Sequence, residues 1–311
     1  MTLHSSHRID KKTLDSLYAL AIVILLVIIS IHSKEETSTF SLLEVPQQPK
    51  SVPIFTFAYD ATTTEDGIEA KTYLVYDVLD KKVLLSKNEA DVVPLASITK
   101  LMTAVTAKEV EKDDRLIKVI PEAIDAGYDI GLKKGQLWKV DELIKYMLVF
   151  SSNDAANLLA VSLTDRQTFI STMNAIAKRE GMTTLTFTNP NGLDSLNEFG
   201  GKGSALDVAR LMAYAYKSIP TLIDATTKPR ATVITNTGPI SGVPNTNQMV
   251  DTFIGIEGSK TGFTDEAGGN LVMIFDISIG HPIVIVVTGS TRTARFTDVE
   301  KLYERTKKAL K

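Results

Sequence analysis

The change of hydrophobic period along the chain is the strongest constraint on its fold. Residues 68–77 (Ile-Glu-Ala-Lys-Thr-Tyr-Leu-Val-Tyr-Asp) and 82–87 are β-rich runs separated by Val78-Leu79-Asp80-Lys81, and they predict a hairpin. From residue 97 to about residue 218 the strong elements are helical. They cover 97–110, 140–149, 153–163, 166–180 and 204–218, with Gly181 as a helix stop after Glu180. Strand character then returns at 232–235, 254–260, 269–279 and 282–289, and Gly280-His281 is a tight-turn signal between the last two. An amphipathic helix over 293–310, with Phe296, Val299, Leu302 and Tyr303 on one side, ends the pattern. Strands at both ends around a helical block predict a mixed α/β fold. An antiparallel sheet is built from both chain ends, and a helical subdomain is inserted between them. Pockets form at such junctions.

The segment before this pattern reads differently. Residues 16–31 carry no charge, a run slightly short of the usual twenty for a membrane span, which His32 and Ser33 extend. Arg8, Lys11 and Lys12 precede it, so a short N-terminus is expected to stay cytoplasmic. No small-x-small cleavage site follows in Ser30-Ile31-His32-Ser33-Lys34, which favours a retained anchor over a cleaved leader. Residues 34–66 are polar and broken by Pro46, Pro49 and Pro53, as in a stalk. The expected organisation is a cytoplasmic tail (1–12), a signal-anchor (13–33), a stalk (34–66) and one extracytoplasmic domain (67–311).

Composition excludes several chemistries. The net charge of −3 has no basic footprint, so nucleic acid is not expected as a partner. The absence of cysteine removes disulfides, thiolate metal sites and cysteine nucleophiles together. His4, His7, His32 and His281 stand at no metal-ligand spacing and near no serine elbow, so neither a histidine-ligated metal nor a Ser-His-Asp triad is expected.

Ser97 and Lys100 stand three apart in Pro94-Leu95-Ala96-Ser97-Ile98-Thr99-Lys100-Leu101-Met102, and no other lysine has a serine at that spacing. On a helix the two side chains share one face. A serine hydroxyl needs a base to become a nucleophile. A lysine serves only if burial or a second cation lowers its pKa from about 10.4. The same pair is also what a helix start with a solvated lysine looks like. Ser151 and Asn153, in Phe150-Ser151-Ser152-Asn153-Asp154-Ala155, are placed to face one site, or equally to cap a helix. Ser195-Leu196-Asn197 repeats that spacing. Lys260-Thr261-Gly262-Phe263, in a late strand, offers a cation, a hydroxyl and unhindered backbone, or else an exposed strand end.

In this order the three boxes resemble the penicillin-binding and serine β-lactamase superfamily. More closely, the chain resembles the low-molecular-mass D-alanyl-D-alanine carboxypeptidases, over about residues 60–290. Pro94 to Thr103 is similar to that family's nucleophile segment, and Ser151-Ser152-Asn153-Asp154-Ala155-Ala156 to its second box. Phe187-Thr188-Asn189-Pro190-Asn191-Gly192-Leu193-Asp194 resembles its Asn-Pro-x-Gly-Leu-Asp segment, which assigns Ser195-Leu196-Asn197 to that loop. Lys260-Thr261-Gly262-Phe263-Thr264-Asp265, with Ala267-Gly268 behind it, resembles its third box.

The resemblance implies a β-lactamase/transpeptidase-like fold and an enzyme that needs no cofactor. Its substrate would be a peptidoglycan stem peptide ending in D-Ala-D-Ala, and β-lactams would be covalent inhibitors. It implies Ser97 as nucleophile, Lys100 as base, Ser151 as proton relay to the leaving amine, and Asn153 as the group holding Lys100 and the substrate amide. Lys260 and Thr261 would engage the terminal carboxylate, with backbone N–H groups of Ser97 and Phe263 as the oxyanion hole.

Two departures stand out. Several relatives use an arginine upstream of the third box to bind the carboxylate, and between Ala231 and Lys260 this chain has none. Carboxylate binding is therefore expected to rest on Lys260 and Thr261, or on Arg292 or Arg295; Arg230 has no assigned place. The usual relatives also carry a C-terminal β domain and a C-terminal anchor, whereas here the apolar segment is at the other end. Rival readings are an endopeptidase of D-alanyl cross-links using the same residues, a class A β-lactamase, and an inactive wall-binding module. The β-lactamase is disfavoured because no Glu-x-x-Leu-Asn string occurs.

Overall fold

The computed structural model describes residues 67–309, except 112, 114, 125–130 and 196–197. The expected tail, anchor and stalk lie outside these residues. Among the described residues no helix is long and apolar enough to cross a membrane.

In chain order the strands are β1 (Thr72–Asp77), β2 (Lys82–Lys87), β3 (Val93–Pro94), β4 (Leu116–Lys118), β5 (Leu137–Lys139), β6 (Thr186–Phe187), β7 (Gly201–Gly203), β8 (Arg230–Thr235), β9 (Gly238–Pro244), β10 (Ile256–Thr264), β11 (Gly268–Asp276) and β12 (Pro282–Ser290). The helices are α1 (Thr99–Val110), α2 (Val140–Phe150), α3 (Asn153–Leu163), α4 (Arg166–Arg179), α5 (Ala205–Ser218), the short α6 (Pro220–Asp224) and α7 (Ala294–Ala309).

The main sheet has the antiparallel order β10-β11-β12-β1-β2, so both ends of the folded region contribute to it, as the order of periods predicts. The seam is β1 against β12, from Thr72↔Thr288 to Asp77↔Ile283. Every residue of β1 is buried, because both faces of the sheet are covered. Alternate residues serve two cores. Leu74, Tyr76, Val272, Ile274, Val284 and Val286 join the core shared with the helical subdomain. Tyr73, Val75, Met273, Phe275, Ile285 and Val287 pack with Val299, Leu302 and Tyr303 of α7. Phe253, Phe275 and Tyr303 close that side as an aromatic cluster, with ring centroids 4.8–5.4 Å apart.

Helix α1 runs through the middle of the helical subdomain, and Thr99 through Ala107 are all buried. Its neighbours stop and start by side-chain capping. Asp165 accepts from the Thr168 N–H and Ser204 from the Asp207 N–H, while Gly181, at φ 73°, ends α4 as expected.

Three expectations need correction. The helix expected from Ser97 begins as a 3-10 turn over Ala96–Ile98 and becomes α-helical at Thr99, because Ala96 at φ 49° turns the chain sharply just before it. The strand at Arg230–Thr235 does not join the main sheet. It pairs with β9, which the sequence did not suggest, and touches β5 at Trp138↔Thr235. Finally, two small sheets, β3-β7-β6 and β4-β5-β8-β9, run through and beside the region read as helical. Most of their strands have only two or three residues, too few to register a period.

Candidate active site

The turn carrying Ser97 is held from two sides. The Leu95 N–H donates to the Gly201 carbonyl at 2.8 Å, and Gly192, at φ 80°, abuts the Ala96 carbonyl so closely that a Cβ there would lie 2.1 Å from its oxygen. Ala96 itself sits at positive φ without being glycine, a strain of the kind found where a site over-determines its backbone. Ser97 is left half-buried at the surface of this corner, and Lys100 is fully buried beneath it.

Lys100 Nζ hydrogen-bonds to Ser97 Oγ at 2.8 Å, Asn153 Oδ1 at 2.7 Å and the Asn191 carbonyl at 2.7 Å. Two of these partners can only accept; the third is a hydroxyl that can give or take. A neutral amine would place its two N–H bonds on the amide oxygens and its lone pair on the Ser97 hydroxyl. An ammonium would donate to all three. The same geometry therefore serves the lysine before and after it receives a proton.

Ser151 ends α2 in the left-handed conformation, φ 64° and ψ 33°. The capping role weighed for it belongs to Ser152, whose Oγ accepts the Ala155 N–H at 2.9 Å. That division leaves the Ser151 hydroxyl to accept from Lys260 Nζ at 2.8 Å, while Asn153, the first residue of α3, turns to Lys100.

Lys260, on β10, is also fully buried, and its second hydrogen bond goes to the Thr261 carbonyl at 2.9 Å. Burial, and then the positive charges of Lys100 and Arg295, push its pKa well below that of an ordinary lysine. Gly262 lets β10 lie against the serine turn: a Cβ there would meet the Leu95 oxygen at 2.7 Å and the Ser97 nitrogen at 3.2 Å. Thr261 Oγ1 donates to Thr246 Oγ1 at 2.7 Å, and Thr264 Oγ1 to Asp194 Oδ2 at 2.6 Å, tying the strand to two loops.

Five of the sequence-predicted residues, Ser97, Lys100, Ser151, Asn153 and Lys260, are thus hydrogen-bonded into two serine–lysine pairs that Asn153 flanks. Thr261, Gly262 and Phe263 continue along β10 beside them. Of the three arginines considered from the sequence, two lie against β10 and one is at the surface. Arg295 is buried and donates from Nη1 to the Gly262 carbonyl at 2.7 Å, burial and Arg292 lowering its pKa to about 10. Arg292 stacks 3.8 Å from the Phe263 ring centroid, and Arg230 donates to the Gly242 carbonyl at the surface. Ser195, the start of the repeated Ser-x-Asn spacing, is exposed and bridges to Glu198.

Sequence reasoning gave no role to Asn191 or Thr246 and did not place Arg295. Asn191 contributes a backbone oxygen, which any residue would supply; the signal for its turn was the glycine at 192. Thr246 belongs to no motif, and only the fold brings it to Thr261.

Comparison with known proteins gives the family to which the chain belongs. The family described as D-alanyl-D-alanine carboxypeptidase (peptidase S11) matches residues 59–292. A D-alanyl-D-alanine endopeptidase of Escherichia coli is 31% identical over 281 residues, 86% of this chain and 87% of that one. A D-alanyl-D-alanine carboxypeptidase of Bacillus subtilis is 28% identical over 267 residues, 81% of this chain and 68% of that one. Among solved structures, penicillin-binding protein D2 of Listeria monocytogenes in its ampicillin-bound form superposes with a TM-score of 0.68. It is 30% identical, and the match covers 76% of this chain and 97% of that one.

Proposed function

Because the chain belongs to the D-alanyl-D-alanine carboxypeptidase family, we propose that it is a serine-type peptidase removing the terminal D-alanine of peptidoglycan stem peptides. The observation that carries this is the buried Lys100 amine 2.8 Å from Ser97 Oγ. Ser97 Oγ attacks the carbonyl carbon of the penultimate D-alanine as Lys100 takes its proton. The Ser97 and Phe263 N–H groups hold the developing oxyanion, each worth roughly 3–4 kcal/mol to the transition state. Ser151 accepts from Lys260, so it can give its own proton to the departing nitrogen as the C–N bond breaks while Lys260 replaces it. On deacylation Lys260 recovers a proton from the attacking water and Lys100 returns its proton to Ser97 Oγ. Asn153 keeps Lys100 in place and binds the substrate amide; Thr261 receives the terminal carboxylate. Water then cleaves the ester and restores Ser97. β-Lactams, whose ring carbonyl meets the same serine, are expected to acylate it.

A second reading, hydrolysis of D-alanyl cross-links, is favoured by one specific observation: the Escherichia coli relative that is 31% identical and matched over 86% of this chain and 87% of its own length is a D-alanyl-D-alanine endopeptidase. The apolar run at 16–31 further supports placing the domain outside the membrane on a signal-anchor.

A fluorescent penicillin should label the purified domain at Ser97, and Lys100→Ala should abolish labelling with the circular dichroism spectrum unchanged. An adduct that survives Ser97→Ala would sink the mechanism. Release of D-alanine from a pentapeptide supports the carboxypeptidase, whereas cleavage of cross-linked dimers alone supports the endopeptidase.

A further inference from the structure

The leaving-group end of the site contains a feature that the three boxes do not explain. Thr246 is fixed by one main-chain and one side-chain hydrogen bond of its own, in a loop that its neighbour Asn245 anchors. Its N–H donates to the Val149 carbonyl at 3.1 Å, just before Ser151. Asn245 Nδ2 donates to the Thr226 and Lys228 carbonyls, and Asn245 Oδ1 accepts the Asn247 N–H at 2.9 Å. The loop is thereby pinned between the end of α2 and β10, and Thr246 Oγ1 meets Thr261 Oγ1 at 2.7 Å. Thr246 is half-buried. With Thr261 as donor in that contact, the hydroxyl proton of Thr246 has no acceptor among the described residues. Lys260 Nζ donates to the Thr261 carbonyl, Arg295 to the Gly262 carbonyl, and Arg292 stacks on Phe263, while Arg230 is bonded to Gly242 at the surface.

We propose that Thr246 is a second carboxylate-binding residue, its hydroxyl pairing with that of Thr261 to hold the leaving residue's free carboxylate. This rests on the peptidase reading above. Two neighbouring hydroxyls can each donate one hydrogen bond to a carboxylate, one to each oxygen, once their mutual bond opens. They provide no formal charge of their own. The cations beside them are Lys260, bonded to the Thr261 carbonyl, and Arg295, bonded to that of Gly262.

The test is steady-state hydrolysis of an acylated peptide ending in D-Ala-D-Ala and of the same peptide with a C-terminal carboxamide. Wild type, Thr246→Val and Thr246→Ser are compared, with thermal unfolding of each. Removing a hydrogen bond to a charged group predicts a roughly 10- to 50-fold loss of kcat/KM for the acid in Thr246→Val, mostly in KM. The amide should change less than about 2-fold, and Thr246→Ser should recover most of the loss. Equal losses on acid and amide would mean that Thr246 only positions Thr261, and no loss on either would mean that it does nothing; both overturn the proposal. Should Thr246→Val fail to fold, Thr246→Ala is read in the same way. A wild-type protein that releases no D-alanine and takes no penicillin adduct overturns the peptidase reading itself, and this proposal with it.

Discussion

Lys260 shows how much a single side chain determines here. Folded, it holds its proton less tightly than the unfolded chain does, because it is buried beside Lys100 and Arg295. Between its lowered pKa and the ordinary lysine value near 10.4 the unfolded state therefore binds more protons, and stability rises with pH across that window. The burial penalty is fully present below the lowered pKa and is relieved as pH rises toward the unfolded value. Lys260→Met removes it. The stability of that variant relative to wild type, from urea denaturation, should fall by about 1 kcal/mol or more between pH 7 and pH 10. A difference that stays constant with pH would contradict the account. At this scale much was legible from the sequence, because Ser97, Lys100, Ser151, Asn153 and Lys260 act through side-chain chemistry at recognisable spacings. The Asn191 oxygen and the Thr246 hydroxyl were not, since the one is backbone and the other depends on which loop meets β10.

At the scale of elements, the serine turn depends on its neighbours more than on its own residues. Gly192 presses against Ala96, and the loop it belongs to supplies the Asn191 carbonyl to Lys100 and the Asp194 carboxylate to Thr264. Gly192→Ala adds a methyl where only 2.1 Å is available, at a φ that L residues adopt at a cost of about 1–2 kcal/mol. It should lower the melting temperature by several degrees, about 2 kcal/mol or more, and slow acylation by a β-lactam by more than tenfold. Stopped-flow fluorescence with a labelled penicillin reads the second effect; an unchanged rate would show that the loop does not set the turn. The long helices and the five strands of the main sheet could be read from period and capping residues. Strands such as Val93–Pro94 and Gly201–Gly203 could not, because two or three residues exist as strand only through partners far away in sequence.

For the whole molecule, the join between the two ends of the folded region is the decisive contact. Asp298, buried at the start of α7, accepts the N–H groups of Glu69 and Ala70 at 3.0 Å and the hydroxyl of Ser290 at 2.6 Å. Asp298→Ala orphans those donors and should cost about 3 kcal/mol or more in urea unfolding, with the rate of acylation of the folded fraction preserved. That the sheet draws on both ends followed from the order of strand and helix periods. Which strand lies beside which did not, since a strand's alternation defines its faces and says nothing of its neighbour. The seam also has a consequence in time. Thr72 waits for Thr288, so a chain emerging from its N-terminus makes the first hairpin and the whole helical block before β1 has its second partner. Pairing over so many residues is slow and leaves a sheet edge uncovered meanwhile. Late arrival of β12 is thus the rate-limiting event expected for maturation, and the interval before it is when the newly made chain is most vulnerable to proteolysis and aggregation.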